Sequence, residues 1–185
     1  MKYRKTKPGI NGLDVYVIVF LIFLTLGIND GFCQGWSERK TRALPDNAFA
    51  VIEKDVDGKK LRHCPHHDKN GDLDIEQLIY VLGTFDSEVW FDQDSRMATR
   101  THLNKHYEKV HKKILKNMKE EPINIDTAGL AELVSLPHIG PVLAVRIAKY
   151  RNHHSLFRTI DEIKKVAGIG QVTFNAIRYY ITITE

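Results

Sequence analysis

The sequence predicts a mainly α-helical chain in three parts. A signal or short anchor segment occupies residues 1–35, a linker spans 36–60, a small helical middle domain spans 61–120, and a C-terminal domain over 121–185 uses one helix-turn-helix unit twice. Three observations predict this. Apolar residues recur at steps of three and four through the middle and C-terminal stretches, which is the helical period. Charge reverses sign near residue 95. The segment Leu133–Tyr150 can be laid over Ile163–Tyr180 at an offset of 30 residues.

Composition sets the bounds. A chain of 185 residues, 43% hydrophobic and 27% charged, has room for one or two compact domains and is too apolar for a disordered or collagen-like polymer. Two cysteines cannot build a disulfide scaffold or a four-cysteine zinc ribbon. The net charge of +4 says little as a chain average, so its distribution has to decide what it means.

Lys2, Arg4, Lys5 and Lys7 form a basic start, followed after Asp14 by an uncharged run from Val15 to Ile28. As a helix that run would reach about 21 Å, short of the ~30 Å hydrocarbon core of a bilayer. A cleaved signal peptide fits this pattern, with Cys33 and Gly35 as the small residues before a cut that releases Trp36; an uncleaved anchor is the alternative, and an ordinary buried helix a third. Cys33 is not in a lipobox, because Phe32 precedes it. The first two readings place the rest of a bacterial chain outside the cytoplasm, either in the periplasm or held at the outer face of the cytoplasmic membrane.

Between Leu61 and Ser95 eight acids face two bases; between Arg96 and Lys119 eight bases face Glu108 alone. Leu103, Tyr107, Val110, Ile114 and Met118 mark one face of a long helix in the basic stretch, and Glu121-Pro122 ends it. That basic face is either a solvated surface balancing the acids before it or an additional phosphate-binding surface.

The middle segment concentrates possible metal ligands in His63-Cys-Pro-His-His-Asp-Lys-Asn-Gly-Asp-Leu-Asp74. Asp68, Asn70 and Asp72 have the spacing of a calcium loop, but no single frame completes it. Cys64, His67, His102 and His106 would make a closed four-ligand set for structural zinc, since His102 and His106 share a helix face. An Asx-rich turn before a helix carrying Ile75, Leu78, Ile79 and Leu82 is the plain reading. No catalytic residues are assigned: a metal-dependent nuclease would need Asp86, Glu88, Asp92 and Asp94 to converge, and no motif around Trp90-Phe91 implies it.

The repeated unit reads as helix, tight turn, helix. Asp126 is placed to cap the first helix, which carries Leu130, Leu133 and Val134, and Pro141 sits where the next begins. Thr159-Ile-Asp-Glu162 has the form of a capping box opening the second unit. The turns are His138-Ile139-Gly140 and Gly168-Ile169-Gly170, each with an isoleucine expected to plug the core. Amides left exposed there, at Gly140 and Val142 and again from Gly168 through Ile169, Gly170 and Gln171 to Val172, lie at a helix N-terminus, where phosphate binds without reference to base sequence.

Together with Ile123-Asn-Ile-Asp-Thr-Ala128, Leu136-Pro-His-Ile-Gly-Pro141, Tyr150-Arg151, Phe157 and Val166-Ala-Gly-Ile-Gly170, these turns resemble the tandem helix-hairpin-helix domain of ComEA-type competence proteins. The resemblance covers about residues 122–183. It implies a five-helix domain that holds double-stranded DNA by its sugar-phosphate backbone, exported behind a signal or anchor and associated with uptake machinery. His138 departs from the family's first glycine, and Ser155-Leu156 from its Gly-Pro pair. His138, Arg146, Lys149, Arg151, Lys165 and Arg178 are expected to flank the phosphates. Seven bases against five acids over 122–185 predict micromolar binding by this domain alone. Two other readings stay open: an envelope adaptor of a secretion or pilus-type assembly that uses the hairpins for protein contacts, and a metal-dependent nuclease with the hairpins as a targeting module.

Overall fold

The computed structural model describes residues 35–117 and 121–184, within one compact unit that runs from Gly31 to Glu185. The expected signal or anchor and the Met118 position of the long helix lie outside the described residues. Among the described residues no helix is long and apolar enough to cross a membrane.

The first described elements correct the expectation of a linker over 36–60 and add a strand pair to the middle domain read as helical. A short helix α1 (Glu38–Arg42) leads into strand β1 (Phe49–Lys54), which pairs antiparallel with β2 (Lys60–Pro65) in the register Val51 to His63. The connection is an Asx turn: the Asp55 carboxylate accepts from the amides of Asp57 and Lys59 at 3.0 and 2.8 Å. Glu53 and His63 both face inward, 7% exposed, and their side chains meet at 3.2 Å. Glu53 also accepts from the amides of Phe91 and Asp92, pinning the entry to the long helix.

Helix α2 (Ile75–Thr84) starts at Asp74, whose carboxylate accepts from the amide of Gln77 at 2.8 Å. Before it lies the Asx-rich turn. Asp68 accepts from the amides of Asn70 and Asp72, so its carboxylate is engaged within its own loop and the calcium frame is not built. Helix α3 (Gln93–Lys116) is the expected basic helix: Leu103 and Val110 are buried, and Tyr107 and Ile114 pack beside them against Leu78, Val81 and Phe85. Arg96 and Arg100 both pair with Asp86, so the helix's unbalanced charge is concentrated in Lys105, Lys109, Lys112, Lys113 and Lys116, all exposed.

In the C-terminal segment β3 (Ile123–Asn124) pairs in parallel with β4 (Ile181–Thr182), joining its two ends. Between them come α4 (Leu130–Leu133), α5 (Pro141–His154), a 3-10 segment (Ile160–Lys165) and α6 (Gln171–Ile177). That makes four helical segments where the resemblance implied five. The stretch after Pro122 is extended, and its Ile123 and Ile125 amides donate to the carbonyls of Tyr180 and Thr182. Asp126 caps no helix. Its buried carboxylate accepts from the amides of Phe157 and Thr184 at 2.8 and 2.9 Å, tying three distant stretches together. Glu162 reaches back to the amide of Arg158 rather than Thr159, so the expected capping box forms only in altered shape.

The boundary expected near residue 120 does not separate two bodies. Glu76 of α2 accepts from the amides of Leu130 and Ala131 at 2.8 and 2.9 Å and so supplies the N-terminal cap of α4. Ile79, fully buried, belongs to the C-terminal core with Ile125, Leu133, Ile147, Ile163 and Ile177. Helix α2 crosses α5 at Gly83, where an added Cβ would lie 2.6 Å from the Pro141 carbonyl oxygen.

Ser155 ends α5 at φ 69 and ψ −174, a region open in practice only to glycine. Ser155→Gly is expected to raise unfolding stability by about 1 kcal/mol, the strain relieved less the extra freedom glycine gives the unfolded chain. A denaturant midpoint that stays put or falls would show that the serine is not strained.

Candidate nucleic-acid interface and histidine cluster

The repeat read from sequence is a repeat of backbone conformation. His138 and Gly168, 30 positions apart, take φ 62 and φ 95; Gly140 and Gly170 take φ/ψ of −93/−178 and −94/−174. His138 thus accepts the left-handed conformation that glycine holds in the second turn. Each turn delivers the chain to the start of a helix, at Pro141 in α5 and at Gln171 in α6.

Ile139 and Ile169 are both 3% exposed, and their amides bond to the carbonyls of Leu136 and Val166. They anchor the turns and offer a ligand neither side chain nor N–H, a correction to their place among the expected contacts. Among the described residues, the amides of Gly140, Val142, Gly168, Gly170, Gln171 and Val172 have no acceptor within the fold. Val142 is 41% exposed and Val172 83%, so the second turn is the more open. Helix α2 flanks the first turn through Gly83 but leaves His138 and Val142 exposed. An added Cβ on Gly140 or Gly170 would meet nothing within 4 Å, so the space in front of both is clear.

The expected flanking bases divide. Arg146, Lys149 and Lys165 line one shallow cleft of about 330 Å³ between α5 and the second turn, joined there by Tyr150, His153 and His154, the two histidines being additions to the expected set. Arg146 also donates to the Ala167 carbonyl at 2.9 Å, bracing the loop, and Lys165 pairs with Glu162 at 2.7 Å. Arg178 lies over the Tyr179 ring at the far end of α6, away from the glycine turn. Arg151 is not at the surface at all. It is 4% exposed and donates to the carbonyls of Ile125 and Ala128, both at 2.8 Å.

The expected metal ligands also come together differently. His67, His102 and His106 meet His66, not Cys64, with one nitrogen from each ring within 4.8 Å of the others. Cys64 takes φ 54, which ends the alternation of β2 and buries its thiol with Leu78, Val81, Phe85 and Leu103. Burial, helped by the charge of Glu88, pushes that thiol up to about 12. His66 is 1% exposed; burial pushes its imidazole down to about 4, and burial likewise lowers His102 and His106.

The acids of the nuclease reading do not converge. Asp86 pairs with Arg96 and Arg100, Glu88 faces His63, and Asp92 caps α3 by accepting from Ser95 at 2.7 Å.

Comparison with known proteins agrees with the hairpin geometry. A family model for the helix-hairpin-helix motif matches residues 118–182. Over 61 residues, 33% of this chain, the sequence is 43% identical to ComE operon protein 1 of Bacillus subtilis (strain 168), and the match covers 30% of that protein. Over 59 residues it is 34% identical to endonuclease/exonuclease/phosphatase family domain-containing protein 1 of Rattus norvegicus and 32% identical to that of Mus musculus, each match covering 32% of this chain and 10% of the relative. The matches thus span less than a third of any of these relatives. No solved structure matches the chain. With two equivalent turns, each opening a helix, and this agreement, the C-terminal third of the chain is a helix-hairpin-helix domain of the ComEA type.

Proposed function

We propose that this protein is an exported double-stranded-DNA-binding protein that grips the phosphate backbone without sequence preference and serves in DNA uptake. The observation that carries the reading is the pair of like turns, with unbonded amides and with clear space beside Gly140 and Gly170, at the starts of α5 and α6. Backbone amides recognise phosphate oxygens and no base edge, so two such turns give affinity without a sequence code. The cleft with Arg146, Lys149 and Lys165 adds positive charge beside the second turn. Similarity to ComE operon protein 1 supports a role in competence, and the N-terminal basic and apolar runs support export. Asp86, Glu88 and Asp92 are spent on ion pairs and a helix cap, which favours binding over catalysis.

Gel shifts with unrelated duplexes test the reading. Equal affinities that fall as salt rises are expected, and affinities that differ by sequence, or the absence of any shift at high protein concentration, would overturn it. Gly170→Asp should weaken duplex binding at least about fivefold, roughly 1 kcal/mol, by setting a carboxylate where a phosphate oxygen approaches. Gly170→Ala and Gly140→Ala are the neutral controls. Their backbone angles suit any residue, so the fold is kept while the Cβ intrudes on the ligand, and a smaller loss is expected. Undiminished binding by a folded Gly170→Asp protein would remove the second turn from the interface.

A further inference from the structure

The imidazoles of His66, His67, His102 and His106 form a cluster that the hairpin turns do not use. We propose that they bind one borderline divalent cation, zinc by preference, which fastens the end of β2 to α3.

The ligand set fits such an ion in number and kind. Four imidazole nitrogens suit zinc, copper or nickel, whereas calcium and magnesium require oxygen. The four nitrogens lie within 4.8 Å of one another, and His66 Nε2 is already 3.0 Å from His102 Nε2. Tetrahedral zinc with bonds of about 2.0–2.1 Å needs its ligands about 3.3 Å apart. The remaining adjustment falls to His102 and His106, which are exposed and half-buried and sit one helical turn apart on α3.

The outer nitrogens of the two β2-side ligands are held as a metal site requires. His66 Nδ1 lies 2.8 Å from the Cys64 carbonyl, and His67 Nδ1 lies 2.9 Å from the Gly71 carbonyl. A carbonyl only accepts, so both Nδ1 atoms carry a proton, and in the neutral rings both Nε2 atoms present a lone pair to a metal. Simple packing of histidines leaves this unexplained. A single proton satisfies the His66–His102 contact, and among the described residues the Nε2 of His67 finds no donor and no carboxylate pairs with any of the four rings.

The test uses the full chain made without a polyhistidine tag, stripped with chelator and titrated with zinc. One zinc per chain and a thermal midpoint that rises with zinc concentration are expected. The double variant His102→Ala/His106→Ala should keep its helical signal and lose both effects. Cobalt in place of zinc should give the visible bands of a tetrahedral nitrogen site without thiolate charge transfer, unchanged in Cys64→Ser. Failure of the stripped protein to take up zinc, equal uptake by the folded double variant, or a thiolate band lost in Cys64→Ser would each overturn the site.

Discussion

Gly83→Val is expected to lower unfolding stability by about 3 kcal/mol and to weaken duplex binding along with it. At the crossing of α2 and α5 the backbones approach so closely that a Cβ on Gly83 would stand 2.5 Å from Val145 Cγ2 and 2.6 Å from the Pro141 carbonyl oxygen. A flexible side chain could yield, but a carbonyl at the start of a helix cannot. The helices would have to separate, opening a core in which Ile79, Ala144 and Val145 are buried. Overpacking of this kind costs about 1–3 kcal/mol, and valine adds two methyls beyond the Cβ. Gly83→Ala sets the sign: alanine in a helix gains about 1 kcal/mol over glycine, so a net loss there isolates the clash. Since Pro141 opens α5 directly after the first turn, displacing it moves the amides of Gly140 and Val142. Denaturant midpoints for both variants check the first expectation, and an alanine variant more stable than the parent would show that the crossing is loose.

That crossing was not legible in the sequence, although the turns it adjoins were. An offset of 30 residues predicted two equivalent turns, and a positive φ at both His138 and Gly168 is what that equivalence means physically. Local patterns carried this information because each turn is built from its own residues. The β1–β2 hairpin was missed although Asp57-Gly58 is a turn signal. Its inward positions carry Glu53 and His63, a buried polar pair that breaks the alternation of apolar and polar residues by which a strand is recognised. The ligand set read from sequence held Cys64 and left out His66, whereas the structure gathers His66 with His67, His102 and His106, for a related reason. Extended spacing cannot foresee the left-handed φ at Cys64, which turns the thiol inward and leaves the following histidines facing α3. Glu76 capping α4 across 54 residues of sequence has no local signature at all.

Arg151 shows how charge misleads when burial is unknown, and it makes the second large prediction. On α5 it reads as a basic residue next to a DNA-binding turn, yet its guanidinium is buried and forks between the carbonyls of Ile125 and Ala128. Those carbonyls lie in the loop between β3 and α4, the loop whose Asp126 also holds Phe157 and Thr184. Arg151→Met keeps much of the volume and removes both bonds, leaving two buried acceptors without that donor. At about 1.5–3 kcal/mol for each bond from a charged donor, the expected loss is about 3–5 kcal/mol, a large part of the 5–15 kcal/mol that holds a domain together. Lysine should recover little, because one ammonium cannot reproduce a planar fork aimed at two carbonyls. A phosphate contact would behave in the opposite way: lysine would preserve binding, and methionine would weaken DNA affinity while leaving the unfolding transition where it was. Thermal or denaturant unfolding of the two variants beside their duplex affinities separates these outcomes, and unchanged stability in Arg151→Met would return the residue to the surface interface.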